Sequence, residues 1–186
     1  MGTTTAMSGA AFDQLPYEEG SSLELLQGEL IEVSSPTPRH QRIVNKLIVS
    51  LGEYFRGETR GETLQDSEFA LGEADRLRPD LAILLAEHSA SVDENENKTP
   101  IPFAPDIAVE VISPSERATD TMGKVWIYLD AGTQEVWQFQ PASEKVLVYR
   151  GLKSIIALGV GESLSTPLLP GLEIPVRDIF RTKRQR

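Results

Sequence analysis

Residues 105–115 read PDIAVEVISPS, an apolar run in which Glu110 is the one charged interior residue. Residues 79–85 read PDLAILL and repeat this design, with Asp80 at the entrance to the run. Short apolar runs that follow a Pro-Asp turn are typical of strands buried on both faces of a sheet. The two segments therefore predict two central strands, each associated with one acidic residue.

The chain before these strands predicts a hairpin followed by a helix. Leu23–Leu26 and Glu29–Val33 are largely apolar and flank Gln27-Gly28, which is a hairpin signal. Apolar residues then recur every three or four positions from Pro38 to Phe55, which predicts an amphipathic helix of about four turns. A strand is expected over Ser67–Leu71, where apolar residues alternate with polar or small ones.

The remainder of the chain predicts a loop, a second long helix and a further hairpin. Glu87–Asn97 is rich in acids and is expected to be a solvated loop. A helix is expected to start with Thr119 or Asp120 as its cap and to end at Ala131-Gly132. Two strands and a last helical turn follow, over Glu135–Gln140, Lys145–Tyr149 and Val176–Phe180.

These elements favour one α/β domain of 186 residues, with a central mixed sheet flanked by helices. Residues 1–10 and 181–186 are expected to be flexible ends. The chain has no cysteine, which excludes disulfides, thiol nucleophiles and thiolate metal sites. No segment has the continuous apolar length of a membrane span, so a cytoplasmic protein that does not enter a membrane is expected.

The charge balance narrows the kinds of site that the chain can form. A net charge of −10 disfavours unspecific coating of nucleic acid. His40 and His88 are the only histidines, so a three-histidine zinc site is excluded. Carboxylates are the remaining plentiful metal ligands, and they favour a hard divalent cation.

Glu110 is the strongest candidate for a functional residue, because a carboxylate inside a buried strand is costly without compensation. If the two central strands are neighbours, Asp80 and Glu110 can converge on one cation that offsets their repulsion. The helix after the Glu110 strand returns along the sheet, and Lys124 and Tyr128 share one of its faces. Two carboxylates, a divalent cation and an ammonium group predict metal-assisted hydrolysis.

Each of these residues also has an ordinary structural interpretation. Asp80 follows a proline and can serve as a turn residue before its strand. Glu110 can form an internal ion pair, and Lys124 can pair with Asp120 along its own helix.

The order of these segments resembles a known family of nucleases. Pro79-Asp80 is followed 30 residues later by Glu110 in VEVISPS, then by Asp120, Lys124, Tyr128 and Ala131-Gly132. This order, over roughly Leu23 to Tyr149, is similar to that of the Uma-two (Uma2) family of restriction endonucleases, in the PD-(D/E)XK nuclease superfamily. The resemblance implies a restriction-endonuclease-like core. It also implies Asp80 and Glu110 as catalytic metal ligands and Lys124 as the catalytic lysine.

The chain departs from the superfamily pattern at Ile112, which stands where a lysine normally follows the strand acid. The resemblance implies that Lys124, on the helix, supplies that lysine instead. Glu29 and His40 match acidic and histidine positions of the family more loosely, and with Tyr128 they are expected to be supporting residues.

Two functions follow as hypotheses. The first is a magnesium-dependent endonuclease that hydrolyses DNA phosphodiester bonds, with Mn²⁺ as a substitute for Mg²⁺. The second is a catalytically inactive nuclease-like scaffold that binds a protein or nucleic acid, for instance as a homodimer. DNA binding by so acidic a chain requires a local basic strip, for which the first long helix and its exit offer Arg39, Arg42, Lys46, Arg56 and Arg60.

Overall fold

A computed structural model describes residues 6–16, 22–56, 61–92 and 99–181. The helices are α1 (Gly9–Phe12), α2 (Pro38–Tyr54), α3 (Ala86–Ser91), α4 (Ala118–Asp130) and α5 (Val176–Phe180). The strands are β1 (Leu23–Leu26), β2 (Glu29–Glu32), β3 (Gly61–Gln65), β4 (Phe69–Ala70), β5 (Arg76–Leu77), β6 (Leu81–Leu85), β7 (Ile107–Val111), β8 (Glu135–Gln140), β9 (Lys145–Tyr149), β10 (Ile155–Leu158), β11 (Ser163–Leu164) and β12 (Ile174–Pro175).

A six-stranded mixed sheet forms the centre of the molecule, in the order β10-β9-β8-β7-β6-β3. The β7–β8 pair is parallel, and the other neighbours are antiparallel. Leu81 lies opposite Val109, so the same register continued by one residue places Asp80 opposite Glu110. The two predicted central strands are therefore neighbours, and the expected mixed α/β architecture is confirmed.

The two faces of this sheet bury different apolar clusters, because successive side chains of a strand point to opposite faces. Helices α2 and α5 cover one face, through a cluster that includes Leu47, Val109 and Trp137. Helix α4 covers the other face, through a cluster that includes Ala108 and Tyr128. Glu110 lies two residues after Ala108 on the same strand, so its side chain points to the same face of the sheet, toward α4.

A second sheet has the order β2-β1-β5-β4 and holds the predicted hairpin. Gln27 and Gly28 form its turn, and both have positive φ. The hairpin contacts α4, and Leu26 lies against Gly123 of that helix. This second sheet therefore brings β1 to the same side of the central sheet as Glu110.

The ends of the long helices follow local chemistry. Thr37 caps α2 by accepting a hydrogen bond from the His40 amide, and Pro38 occupies the first turn, where a missing N–H costs nothing. Helix α4 ends at Asp130 with Ala131 as its C-cap, and Gly132 follows with a φ of 109°, as its predicted role at this end requires.

Three local expectations were wrong. The cap of α4 is Arg117 without a side-chain hydrogen bond to the helix, whereas Thr119 and Asp120 lie inside its first turn. Residues 87–91 of the expected acidic loop lie in α3, and residues 93–97 lie outside the described part of the chain. The expected strand Ser67–Leu71 shrinks to β4 in the second sheet, and β3, an edge strand, was missed.

Residues 1–5 and 182–186, within the two expected flexible ends, lie outside the described residues. Nearer the core, Met7 donates a backbone hydrogen bond to Gly28, and Gly9 packs against the guanidinium of Arg76. Arg76 is buried and donates to both carboxylate oxygens of Asp13, at 2.8 and 3.0 Å. Within the described residues, no helix has the length and apolar character needed to cross a membrane.

Candidate active site

Asp80 and Glu110 line the same cavity, of about 280 Å³, at one end of the central sheet. The N-terminus of α2, strand β1, helix α4 and the loop after β7 supply its walls. The sequence-based expectation that the two carboxylates face a common space therefore agrees with this geometry.

Asp80 is held by one backbone group and one side chain. Its Oδ2 accepts a hydrogen bond from the Val111 amide at 2.7 Å. Its Oδ1 lies 3.1 Å from Nε2 of His40, the first-turn residue of α2. Asp80 thus connects β7 and α2, so it does more than form the turn before β6.

Glu110 is 7% exposed and contacts two residues of α4. Tyr128 donates its hydroxyl hydrogen to Oε1 of Glu110 at 2.9 Å. Nζ of Lys124 lies 3.8 Å from Oε2 of Glu110. The helical spacing of Lys124 and Tyr128 therefore directs both side chains to the same carboxylate, as predicted.

Glu24 is a residue of this cavity that sequence reasoning missed. It lies on β1, is 2% exposed, and its Oε2 is 2.6 Å from Nζ of Lys124. Lys124 therefore pairs with Glu24 and Glu110, whereas Asp120 pairs with Arg117 at 2.7 Å. The missed signal is the sequence LELL, a carboxylate inside an apolar strand, which is the signal that identified Glu110.

Acidic side chains outnumber basic ones in the lining of the cavity. Burial raises the pKa of Glu110 to about 8, against the opposing effect of Lys124 and with added repulsion from Asp80, Glu24 and Glu116. Lys124 is penalised by its own burial, but Glu110 and Glu24 together raise its pKa above the ordinary lysine value. The lysine is therefore a fixed cation, and Glu110 is the group whose charge is costly.

Tyr128 and His40 respond to the same carboxylates. Burial, followed by the charges of Glu110 and Glu24, raises the pKa of Tyr128 well above that of a free tyrosine, so its hydroxyl remains a donor. Burial lowers the pKa of His40, but the hydrogen bond and charge of Asp80 outweigh it and give a net rise. Nδ1 of His40 is buried and has no hydrogen-bond partner among the described groups.

Glu29 does not reach this cavity. It begins β2, is exposed, and lines a neighbouring depression together with Glu24, Arg117 and Lys124. Its supporting role stays a prediction. The acid of this hairpin that lines the cavity is Glu24, which comes from the other strand.

The expected basic strip is partly occupied by internal contacts. Arg39 pairs with Glu144 at 3.2 Å. Nζ of Lys46 donates to the carbonyls of Asp178, Ile179 and Arg181 at the end of α5. Arg42 and Arg56 are exposed, and Arg60 lies outside the described residues.

The cavity offers oxygen donors for a divalent metal ion. Within the described segments, no group of three or more histidine and acidic side chains is arranged to hold a metal ion. Asp80 and Glu110 nevertheless offer hard oxygen donors, and each of their oxygens retains a free lone pair. Mg²⁺ commonly uses one or two carboxylates and keeps several waters, so this pair and its excess charge fit that ion.

The chain as a whole has no match among curated proteins. Among solved structures it is similar to "a putative nuclease belonging to DUF820" from Anabaena variabilis ATCC 29413, with 21% sequence identity and a TM-score of 0.83. That match covers 94% of this chain and 97% of the other, which confirms a nuclease-like fold. A family model described as "Putative restriction endonuclease" matches residues 10–177, so the chain belongs to the Uma2 family.

Proposed function

We propose that this protein is a magnesium-dependent endonuclease that hydrolyses phosphodiester bonds of DNA, with Mn²⁺ able to replace Mg²⁺. The observation that carries the proposal is the meeting of Asp80 and Glu110 in one cavity beside the ammonium group of Lys124. Buried carboxylates with more negative than positive charge around them favour a cation, and an ammonium group beside them favours an anionic reaction centre. Membership of the Uma2 family supports a nuclease role.

Asp80 and Glu110 are the residues that would hold the metal ion. When bound, Mg²⁺ supplies an acidified water and neutralises charge on the phosphodiester. The Val111 amide and His40 orient Asp80, while the Tyr128 hydroxyl orients Glu110. These contacts reduce the freedom of both carboxylates before any substrate arrives.

Lys124 would orient the attacking water or stabilise the negative charge that develops on the phosphate oxygens. Glu24 holds the ammonium group from β1, at 2.6 Å, and helps to keep it charged. This arrangement explains how Ile112 can occupy the strand position where a lysine is usual. The ammonium group reaches Glu110 from α4 instead of from β7.

The test is cleavage of supercoiled plasmid with Mg²⁺ or Mn²⁺. We expect cleavage by the unmodified protein and a loss of at least about 100-fold in Asp80→Asn, Glu110→Gln and Lys124→Met. Asp106→Asn is the matched control, because Asp106 is also buried but lies at the other end of β7. Cleavage that persists in the first three variants would contradict the site, and an inactive unmodified protein would contradict the proposed activity.

Metal binding is measured separately from cleavage. Mg²⁺ or Mn²⁺ should raise the melting temperature of the unmodified protein, because an ion that binds only the folded state stabilises it. The same addition should leave the melting temperature of Glu110→Gln unchanged. An equal rise in both proteins would place the ion elsewhere.

A second candidate function is an interaction module that pairs with a second copy of itself. Strand β10 is an edge of the central sheet, and Leu152, Ile155 and Val160 around it are 45–59% exposed. Residues 154–161 contain no charged side chain. In a chain of net charge −10, this edge can approach another copy with little repulsion.

Sedimentation of the full chain tests this second candidate. We expect a concentration-dependent dimer that Ile155→Lys disrupts, with Val49→Lys as control because Val49 is equally exposed on α2. A monomer at all concentrations, or a dimer in both variants, would contradict pairing through β10. The cytoplasmic location remains a prediction from the sequence.

A further inference from the structure

We infer that Arg78 receives a phosphate group of the substrate at the mouth of the cavity and that Asp66 occupies this position until the substrate arrives. The inference rests on the proposed function, since it identifies how the same site recognises a nucleic acid.

The backbone fixes Arg78 to the candidate site. Arg78 stands two residues before Asp80, and both line the cavity. Its amide donates a hydrogen bond to Oε1 of Glu24 at 2.9 Å, and Glu24 in turn pairs with Lys124. The position of the Arg78 main chain is therefore tied to the proposed catalytic lysine.

The Arg78 side chain is the most exposed cation of the cavity lining. It is 28% exposed, whereas the side chains of Lys124 and His40 are 9% and 11% exposed and each is paired with a carboxylate of the cavity. A guanidinium group also matches the geometry of a phosphate, because its N–H groups can donate in pairs to two oxygens. Arg78 is thus the cation that an incoming phosphodiester would meet first.

The present partners of Arg78 hold it unequally. Nη2 lies 3.2 Å from Oε2 of Glu68, a side chain that is 15% exposed, and Nη1 donates to Oγ of Ser22 at 3.4 Å. Nε lies 3.9 Å from Oδ1 of Asp66, which is 76% exposed and beyond hydrogen-bond range. An exposed ion pair at that distance contributes little, so a phosphate can replace Asp66 while Glu68 keeps the guanidinium in place.

The test is binding of a fluorescein-labelled DNA oligonucleotide, single-stranded or duplex, measured by fluorescence anisotropy. Ca²⁺ replaces Mg²⁺ so that a hard cation is present during the binding measurement. We expect Arg78→Gln to weaken binding by about tenfold or more and Arg78→Lys by a smaller factor, because lysine keeps the charge and loses the paired donors. Asp66→Asn should tighten binding severalfold, because it removes the competitor for the guanidinium.

A double variant separates this role from a general effect of charge. Asp66→Asn should have no effect on binding in the Arg78→Gln background. Glu53→Gln is the control, because Glu53 is exposed on α2, does not line the cavity and carries the same charge. Equal tightening by Asp66→Asn with and without Arg78, or by Glu53→Gln, would overturn the inference.

The outcomes also distinguish this inference from the proposed activity. DNA binding that depends on Arg78 without cleavage in Mg²⁺ supports the inference and contradicts the proposed hydrolysis. Cleavage with unchanged binding in Arg78→Gln supports the hydrolysis and overturns the inference, as does a failure of the unmodified protein to bind DNA. Melting temperatures of all variants establish that each one is folded.

Discussion

The two ends of the β6–β7 pair both bury acidic side chains, but they supply them with very different partners. At one end Asp106 is 4% exposed and accepts hydrogen bonds from the Leu85 amide, His88 Nδ1 and Gln134 Nε2, at 2.7, 2.9 and 2.8 Å. Three donors therefore converge on a single carboxylate. We interpret this group as structural, because three donors hold one carboxylate and Asp106 does not line the cavity.

At the opposite end, the carboxylates of Glu24, Asp80, Glu110 and Glu116 line one cavity with Lys124 and His40 as internal cations. Burial is the main reason that the pKa of Glu110 rises to about 8, and repulsion from Asp80, Glu24 and Glu116 adds to it against the opposing effect of Lys124. Burial of an acid is therefore common to both ends. The imbalance between acids and donors distinguishes a candidate site from a structural cluster.

The largest change in stability is expected when the ammonium group of the cavity is removed. Lys124→Met should destabilise the metal-free protein by about 3–5 kcal/mol, because Glu24 and Glu110 remain buried without their cation. Urea unfolding measures the change, and Lys145→Met is the control because Lys145 is exposed on β9. Equal stability of the two variants would mean that the buried acids need no cation.

Substitution of Asp106, at the other end of the β6–β7 pair, should change stability and leave cleavage unaffected. Asp106→Asn should cost about 2–3 kcal/mol, because an amide group turns a donor toward an existing donor. Cleavage per folded molecule should stay unchanged, since Asp106 does not line the cavity. Asp130→Asn, at an exposed position of α4, is the control. A parallel loss of cleavage at full folding would remove the distinction between the two ends.

The pH dependence of stability should come mainly from the end of the β6–β7 pair that forms the cavity. Because the pKa of Glu110 is raised from 4.5 to about 8, the folded state keeps a proton that the unfolded chain has released. Without a divalent ion, stability should therefore fall between about pH 5 and pH 8, by up to about 1.4 kcal/mol per pH unit from this group.

The free energy of unfolding, measured against pH in the unmodified protein and in Glu110→Gln, isolates the contribution of this carboxyl group. His40 contributes with the same sign, because its raised pKa gives stability that is lost as pH rises through that value. Glu110→Gln should therefore flatten most of the slope, and a further His40→Gln change should flatten the rest. An unchanged slope in Glu110→Gln would show that this carboxyl group titrates normally.

The smallest effect is expected from one hydroxyl group. Tyr128→Phe removes the hydrogen bond to Glu110 and should cost about 1–2 kcal/mol, with a fall in cleavage of at most about tenfold. Tyr54→Phe is the control, because that hydroxyl donates to the Pro170 carbonyl away from the cavity. Chemical denaturation and plasmid cleavage measure the two quantities. A larger loss of cleavage would assign Tyr128 a direct part in the reaction.

Much of the fold and the centre of the candidate site follow from local patterns. Apolar runs identified β6 and β7, and helical periodicity identified α2 and α4 with the shared face of Lys124 and Tyr128. Alternation along the strands then determines which side of the sheet Glu110 faces. These features depend on spacing along one segment at a time, which a single sequence displays.

The missed features depend on contacts between distant segments. Glu24 joins the cavity because the hairpin belongs to a second sheet beside α4, and no local pattern reports that placement. Strand β3 was missed because the segment GETLQ is mostly polar. It lies at an edge of the central sheet, where a strand can carry polar side chains and shows a weaker apolar pattern. Lys46 looked like part of a DNA-binding strip but holds the carbonyls that end α5.

The register between β6 and β7 also sets limits on how this chain can vary in length. One additional residue inside either strand would send the side chains beyond it to the opposite face and separate Asp80 from Glu110. A change of length outside the two strands leaves this register as it is, because the same residues can still pair. Insertions and deletions among relatives should therefore avoid the two strands.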